Sequence, residues 1–166
     1  RKRYSILRRR WTIKNILLTI SIAVATIISG CTKYENQNKY FSNKDQAAIA
    51  FFIENKSKIE SLSSQQEMLG WVLHCNDKGY AYTNYVIGDL SNTVRPHEVD
   101  KGDCEVGEFL HSHPITNRIT DYFSKADIQI AKWRGIYLFS TEGYYVRVHN
   151  GKKDRYGTII ANIRYK

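Results

Sequence analysis

From Ile136 onward the chain alternates β-forming runs with glycine turns: IYLFS, YYVRVH and GTIIANIRY are separated by Glu142-Gly143 and Asn150-Gly151. Asn-Gly between runs rich in valine, isoleucine and tyrosine is the strongest short-range hairpin signal, because the tight turn needs positive φ at its central positions. A chain that ends this way is committed to a sheet with a face to bury. Upstream, MLGWVLHC and GYAYTNYVI flank the turn NDKG, which predicts a hairpin over Met68 to Ile87, and Cys104 to His113 reads as a further strand. Gly88 to Asp103 is too polar for a core element and reads as a long loop.

Two helices are expected. The first runs from about Asn43 to Ile59, where Ser42 and Asp45 resemble a capping pair ahead of the apolar face Ala47, Ala48, Phe51, Phe52 and Ile53. The second covers Ser124 to Arg134. Strands on both sides of a short helix, with another helix in front, predict an α+β domain with a mixed or mostly antiparallel sheet flanked by helices.

The chain's formal charge of +9 has a local origin. Residues 1–30 hold seven of the 25 basic residues and none of the 16 acidic ones, which leaves 18 basic against 16 acidic in the rest. A basic start, an apolar run from Ile16 to Ile28 and small residues after it have the layout of a secretory signal, and the run is short for a membrane span. The basic surplus therefore belongs to targeting, and nucleic acid is not an expected partner. The run ends in Ile28-Ser29-Gly30-Cys31, which resembles a bacterial lipobox, in which the cysteine is lipidated; an uncleaved anchor helix is the alternative. The expected organisation is a signal peptide over 1–30, a lipidated polar tether over 31–42 and one globular domain over 43–166, held by its lipid at a membrane of the bacterial cell envelope and facing the periplasm or exterior.

Outside the cytoplasm thiols tend to pair, so Cys75 and Cys104 are candidates for a disulfide, with two separately buried thiols as the competing arrangement. Neither lies in a Cys-x-x-Cys pair, which argues against zinc ligation by them.

The segment Gly107 to Asp127, GEFLHSHPITNRITDYFSKAD, carries the chemistry. Residues i and i+2 of a strand share a face, so His111 and His113 direct two imidazoles at one point while Ser112 turns away. A hydrolytic zinc site needs a third protein ligand, and Asp127, in the first turn of the following helix, is placed to supply a carboxylate. Ser124-x-x-Asp127 is equally a helix-capping pattern, and each reading stands at this point. Glu108, three residues before His111, should face the other side of its strand. His74, His97 and His149 read as surface or core residues.

Taken together, Glu67, then His111-Ser112-His113-Pro114, then Ser124-Lys125-Ala126-Asp127 resemble the motif of the JAB/MPN (JAMM) metallopeptidase superfamily: a glutamate, His-x-His-Pro and Ser-x-x-Asp. The likeness is greatest to a bacterial JAB-like branch found at the C-termini of Rhs-type polymorphic toxins, and it covers roughly Gln65 to His149. Nine residues separate Pro114 from Ser124, a slightly long loop for the family. The resemblance implies a cytidine-deaminase-like core, zinc ligation by His111, His113 and Asp127, proton transfer by Glu67 and oxyanion stabilisation by Ser124. It also implies hydrolysis of a peptide, isopeptide or peptidoglycan amide bond. The alternative is a lipid-tethered binding or immunity protein of the same fold that engages a partner protein without catalysis.

Overall fold

The computed structural model describes residues 39–89, 99–113, 122–152 and 154–166. The chain divides into two units, 1–37 and 38–166, and every described residue belongs to the second. The expected signal segment, Cys31 and His97 lie outside the described residues, as does most of the expected long loop. Among the described residues no helix is long and apolar enough to cross a membrane.

Helix α1 spans Lys44–Glu60 and buries Ala47, Ala48, Phe51, Phe52 and Ile59. Its cap is Asn43, whose extended backbone lets the side-chain oxygen accept from the Gln46 N–H at 2.9 Å. The expected cap, Ser42, stands one residue too early and instead donates to Gln46 Oε1 at 2.8 Å. Phe41, at the end of the segment expected as a tether, exchanges two backbone hydrogen bonds with Tyr80 and stacks on Tyr82.

The strands are β1 (Gln66–His74), β2 (Tyr80–Tyr82), β3 (Val86–Asp89), β4 (Glu105–Ser112), β5 (Ile136–Ser140), β6 (Tyr145–His149) and β7 (Thr158–Asn162), with helix α2 (Lys125–Ala131) between β4 and β5. They form one seven-stranded sheet in the order β2-β1-β4-β5-β6-β7, with β3 also on β1. Every pairing is antiparallel except β4 with β5. That parallel pair cannot be joined by a tight turn and requires a crossover, which carries α2. The domain is thus α+β with a mixed, mostly antiparallel sheet.

The second limb of the expected hairpin is split. β2 pairs with Val72–His74 and β3 with Gln66–Leu69. Between them the Trp71 N–H donates to Thr83 Oγ1 and the Thr83 N–H to the Trp71 carbonyl, each at 3.0 Å. A side-chain hydroxyl therefore replaces a ladder acceptor where the strand breaks.

Alternation sorts the strands into two apolar faces. Met68, Val72, Leu110, Tyr137, Phe139 and Val146 pack with α1 on what is termed here the back. Leu69, Trp71, Phe109, Ile136 and Leu138 pack with Phe123 and Ala131 on the front, the side of α2. Gly70 lets α1 approach: a Cβ there would lie 2.8 Å from the Phe51 ring. At one end of the β1/β4 ladder, just beyond the His74/Glu105 pair, Cys75 and Cys104 form a disulfide with their Cα atoms 4.3 Å apart. By the chain-entropy argument, closing a loop of this length stabilises the fold by about 3 to 4 kcal/mol.

Candidate metal centre

The other end of β4 points into the front face. Phe109 and His111 stack there with ring centroids 5.6 Å apart and an interplanar angle of 9°, and His111 is buried. Its Nδ1 lies 3.0 Å from the carbonyl oxygen of Tyr137 on β5. A carbonyl can only accept, so Nδ1 carries the hydrogen and Nε2 of the neutral ring presents a lone pair. An outer hydrogen bond of this kind fixes the tautomer and orientation of a metal-ligating histidine.

That Nε2 is 3.2 Å from His113 Nε2 and 3.4 Å from Asp127 Oδ1, and His113 Nε2 is 3.4 Å from Asp127 Oδ2. His111, His113 and Asp127 each offer a ligand atom within 4.8 Å of the others, and all three are largely buried. The expected ligand set is therefore assembled in space, and it can hold a metal ion.

The capping and ligand readings of Asp127 prove compatible. The Ser124 N–H donates to Asp127 Oδ2 at 2.6 Å, and the Asp127 N–H donates to Ser124 Oγ at 3.1 Å, a reciprocal capping box at the start of α2. The same carboxylate turns Oδ1 toward His111. Helix formation thus orients the third ligand. Ser124 is exposed, and its hydroxyl, already accepting from Asp127, keeps its own hydrogen to donate.

Glu67 joins the group through sheet register. Leu69 stands opposite His111 across the β1/β4 ladder, and Glu67, two residues earlier on β1, shares its face. Burial pushes the Glu67 carboxyl upward and the nearby Asp127 charge adds to this, while His111 and His113 oppose it; the net shift is upward. For Asp127 burial likewise pushes upward, but the charges and hydrogen bonds of His111 and His113 outweigh it and hold the carboxyl far below the usual range. At His111 burial disfavours the charged ring, yet the Asp127 and Glu67 carboxylates prevail and the pKa rises. The pocket favours positive charge at the point where the three side chains meet.

Glu108 takes no part. It lies on the back of β4, where it accepts from Lys44 Nζ and pairs with His74 Nε2, each at 2.8 Å. His149 is buried with both nitrogens engaged: Nδ1 accepts from the Gly151 N–H, and Nε2–H donates to the Asp154 carbonyl.

Several supporting groups were not anticipated from the sequence. Ser112, between the two ligand histidines, accepts from the Met68 N–H at 3.0 Å and ties β1 to β4 beside Glu67. The turn of Ser112 to the face opposite the histidines was legible from alternation, but its partner was not. Phe123 sets its ring between His111 and His149, at 6.4 and 5.0 Å. The Tyr137 carbonyl leaves no mark in a sequence at all. A scan of protein-family models, a search of curated proteins and a search of solved structures each find no match to this chain, so the chemistry of the site rests on its own geometry.

Proposed function

We propose that this protein is a zinc-dependent hydrolase of the JAB/MPN type, tethered to the bacterial envelope by a lipid on Cys31 and acting on a peptide, isopeptide or peptidoglycan amide bond. One observation carries the reading: one ligand atom from each of His111, His113 and Asp127 lies within 4.8 Å of the others, with His111 Nε2 3.2 Å from His113 Nε2 and 3.4 Å from Asp127 Oδ1. Ligands at about 2.0–2.1 Å in a tetrahedron stand about 3.3 Å apart, so the separations of His111 Nε2 from His113 Nε2 and from Asp127 Oδ1 suit zinc. Two imidazoles and a carboxylate form an accepted catalytic donor set, which leaves a fourth position open. The motif Glu67, His111-Ser112-His113-Pro114 and Ser124-x-x-Asp127 supports the family assignment, with the core then being the cytidine-deaminase-like sheet of that superfamily.

In this reading His111, His113 and Asp127 hold the ion, which when bound acidifies a water and polarises the substrate carbonyl. Glu67 would take a proton from the attacking water and deliver it to the leaving amine. A carboxylate serves this purpose best when its pKa is raised toward the working pH, which is the direction of the Glu67 shift. The Ser124 hydroxyl donates to the developing oxyanion, with the hydrogen that the capping box leaves uncommitted.

The test is zinc content of the purified chain beside a His111→Ala, His113→Ala double variant. About one equivalent against none is expected, followed by hydrolysis of envelope peptides that drops by about 10²- to 10⁴-fold in Glu67→Gln while zinc is retained. A folded wild type that takes up no zinc overturns the reading. Stoichiometric zinc with no turnover of any peptide leaves the non-catalytic binding or immunity protein.

A further inference from the structure

We infer that Arg147 and Arg155 form a carboxylate-binding subsite beside the metal centre, so that the substrate is a peptide carrying an acidic side chain or free carboxylate near the bond to be cleaved; this rests on the hydrolase reading above. Leu138 on β5 is paired with His111 on one side and Arg147 on the other. His111, Leu138 and Arg147 therefore form a row across three strands, and alternation puts all three on the front face. Two strand spacings separate Arg147 from His111, about 9 to 10 Å at the backbone.

The guanidinium of Arg147 sits 5.8 Å from the centre of the Tyr122 ring and 5.7 Å from that of Tyr145. Arg155 lies over the same Tyr122 ring at 5.0 Å and over Tyr156 at 5.7 Å, and Tyr122 meets Tyr156 edge-on at 4.8 Å. Tyr122 directly precedes Phe123, whose ring backs His111. Two consecutive residues thus place one ring against the ligand histidine and the next against the two arginines.

What this arrangement lacks is an anion. Among the described residues neither arginine makes an ion pair. Asp154, in the same turn, spends Oδ1 on the N–H groups of Tyr156 and Gly157. Arg147 donates one Nη1 hydrogen to the Tyr156 carbonyl at 3.2 Å, but its Nε–H is buried and finds no acceptor among the described residues. Two like charges on one ring are unfavourable unless an anion arrives to balance them. A carboxylate suits the planar fork of a guanidinium. Because an extended peptide advances about 3.3 Å per residue, the acid group would lie two or three residues from a bond held at the metal. Nucleic acid fits less well, since beyond residue 30 the chain holds 18 basic residues against 16 acidic ones.

The experiment is an NMR titration of the zinc-loaded full chain, in mild detergent, with the acetylated and amidated peptide Ala-Ala-Glu-Ala and its Ala-Ala-Gln-Ala counterpart. About tenfold tighter binding of the glutamate peptide is expected. That preference should shrink in Arg155→Gln and vanish in Arg147→Met, Arg155→Gln, with zinc content unchanged. Arg155 is exposed, so the single variant decides the matter should the double variant fail to fold. Equal binding of the two peptides by the wild type, persistence of the preference in Arg155→Gln, or tighter binding of an oligothymidine strand than of either peptide overturns the subsite. Preference without zinc uptake would remove the metal reading and keep the subsite, and zinc uptake without preference would do the reverse.

Discussion

β4 presents a histidine–carboxylate cluster on each of its faces, and the two are built differently. On the back, Glu108 stands between Lys44 and His74, each at 2.8 Å. The lysine is a fixed cation, so the buried carboxylate is neutralised by the protein itself and the network closes. On the front, His111 and His113 meet Asp127 with Glu67 close by, and no lysine or arginine pairs with either carboxylate among the described residues. Among the described residues, what remains to balance that charge is a proton or a metal ion. A histidine beside a carboxylate is therefore an ambiguous signal; converging ligand atoms with no fixed cation are the informative one.

The largest effect that separates the faces is metal linkage. An ion that binds the folded state alone stabilises it by about 4 kcal/mol when its free concentration is a thousandfold above Kd. Thermal unfolding with zinc and with EDTA should therefore differ by many degrees in the wild type, and by nothing in the His111→Ala, His113→Ala variant. Glu108→Gln should unfold earlier under both conditions yet keep the full zinc-dependent difference. If Glu108→Gln also loses that difference, the two clusters are one coupled network and the contrast fails.

A second pair of variants compares the two helix caps. Ser124→Ala and Asn43→Ala each remove an N-cap and should each cost about 1 kcal/mol in urea unfolding without metal. Only Ser124 also braces a ligand, because its backbone and side chain both bond to Asp127. Zinc affinity, measured by competition with a chelating dye, should fall about 10- to 100-fold in Ser124→Ala and stay unchanged in Asn43→Ala. Equal affinity in both variants would make the capping box incidental to the centre.

The strands were legible because period and turn chemistry are local properties. IYLFS became β5 residue for residue, and β6 and β7 pair antiparallel, but not through a tight Asn-Gly turn: eight residues, 150–157, connect them, and Gly151 has positive φ, 83°, while Asn150 does not. Strand order was not legible, because nothing local says that β4 sits between β1 and β5 or that β5 runs parallel to it. The same division holds at the site. His111 and His113 share a face by alternation alone, whereas the nearness of Glu67 depends on the β1/β4 register, with Leu69 opposite His111. Setting capping against ligation at Asp127 posed a false choice, since a carboxylate has two oxygens.

The smallest effect concerns charge on the back face. Burial pushes Glu108 upward, but the hydrogen bonds from Lys44 and His74 and the Lys44 charge prevail, so its pKa is depressed. The hydrogen bond to Glu108 raises Lys44, with burial opposing it. A depressed carboxylate contributes stability that is present above about pH 4.5 and is lost as pH falls through the folded value; a raised lysine contributes stability that is present below about pH 10.5 and is lost above it. Lys44 is half exposed, so Lys44→Met should cost only about 1 kcal/mol at pH 7. Urea unfolding at successive pH values should show that gap steady from about pH 5 to 10 and closing in acid as Glu108 protonates. The front face should respond to acid as well, because protons compete with bound zinc for its ligands and acidification releases the ion. A gap that stays open where Glu108 is protonated would mean that Lys44 acts through the packing of its aliphatic stem, and the back face would then be balanced by shape rather than by charge.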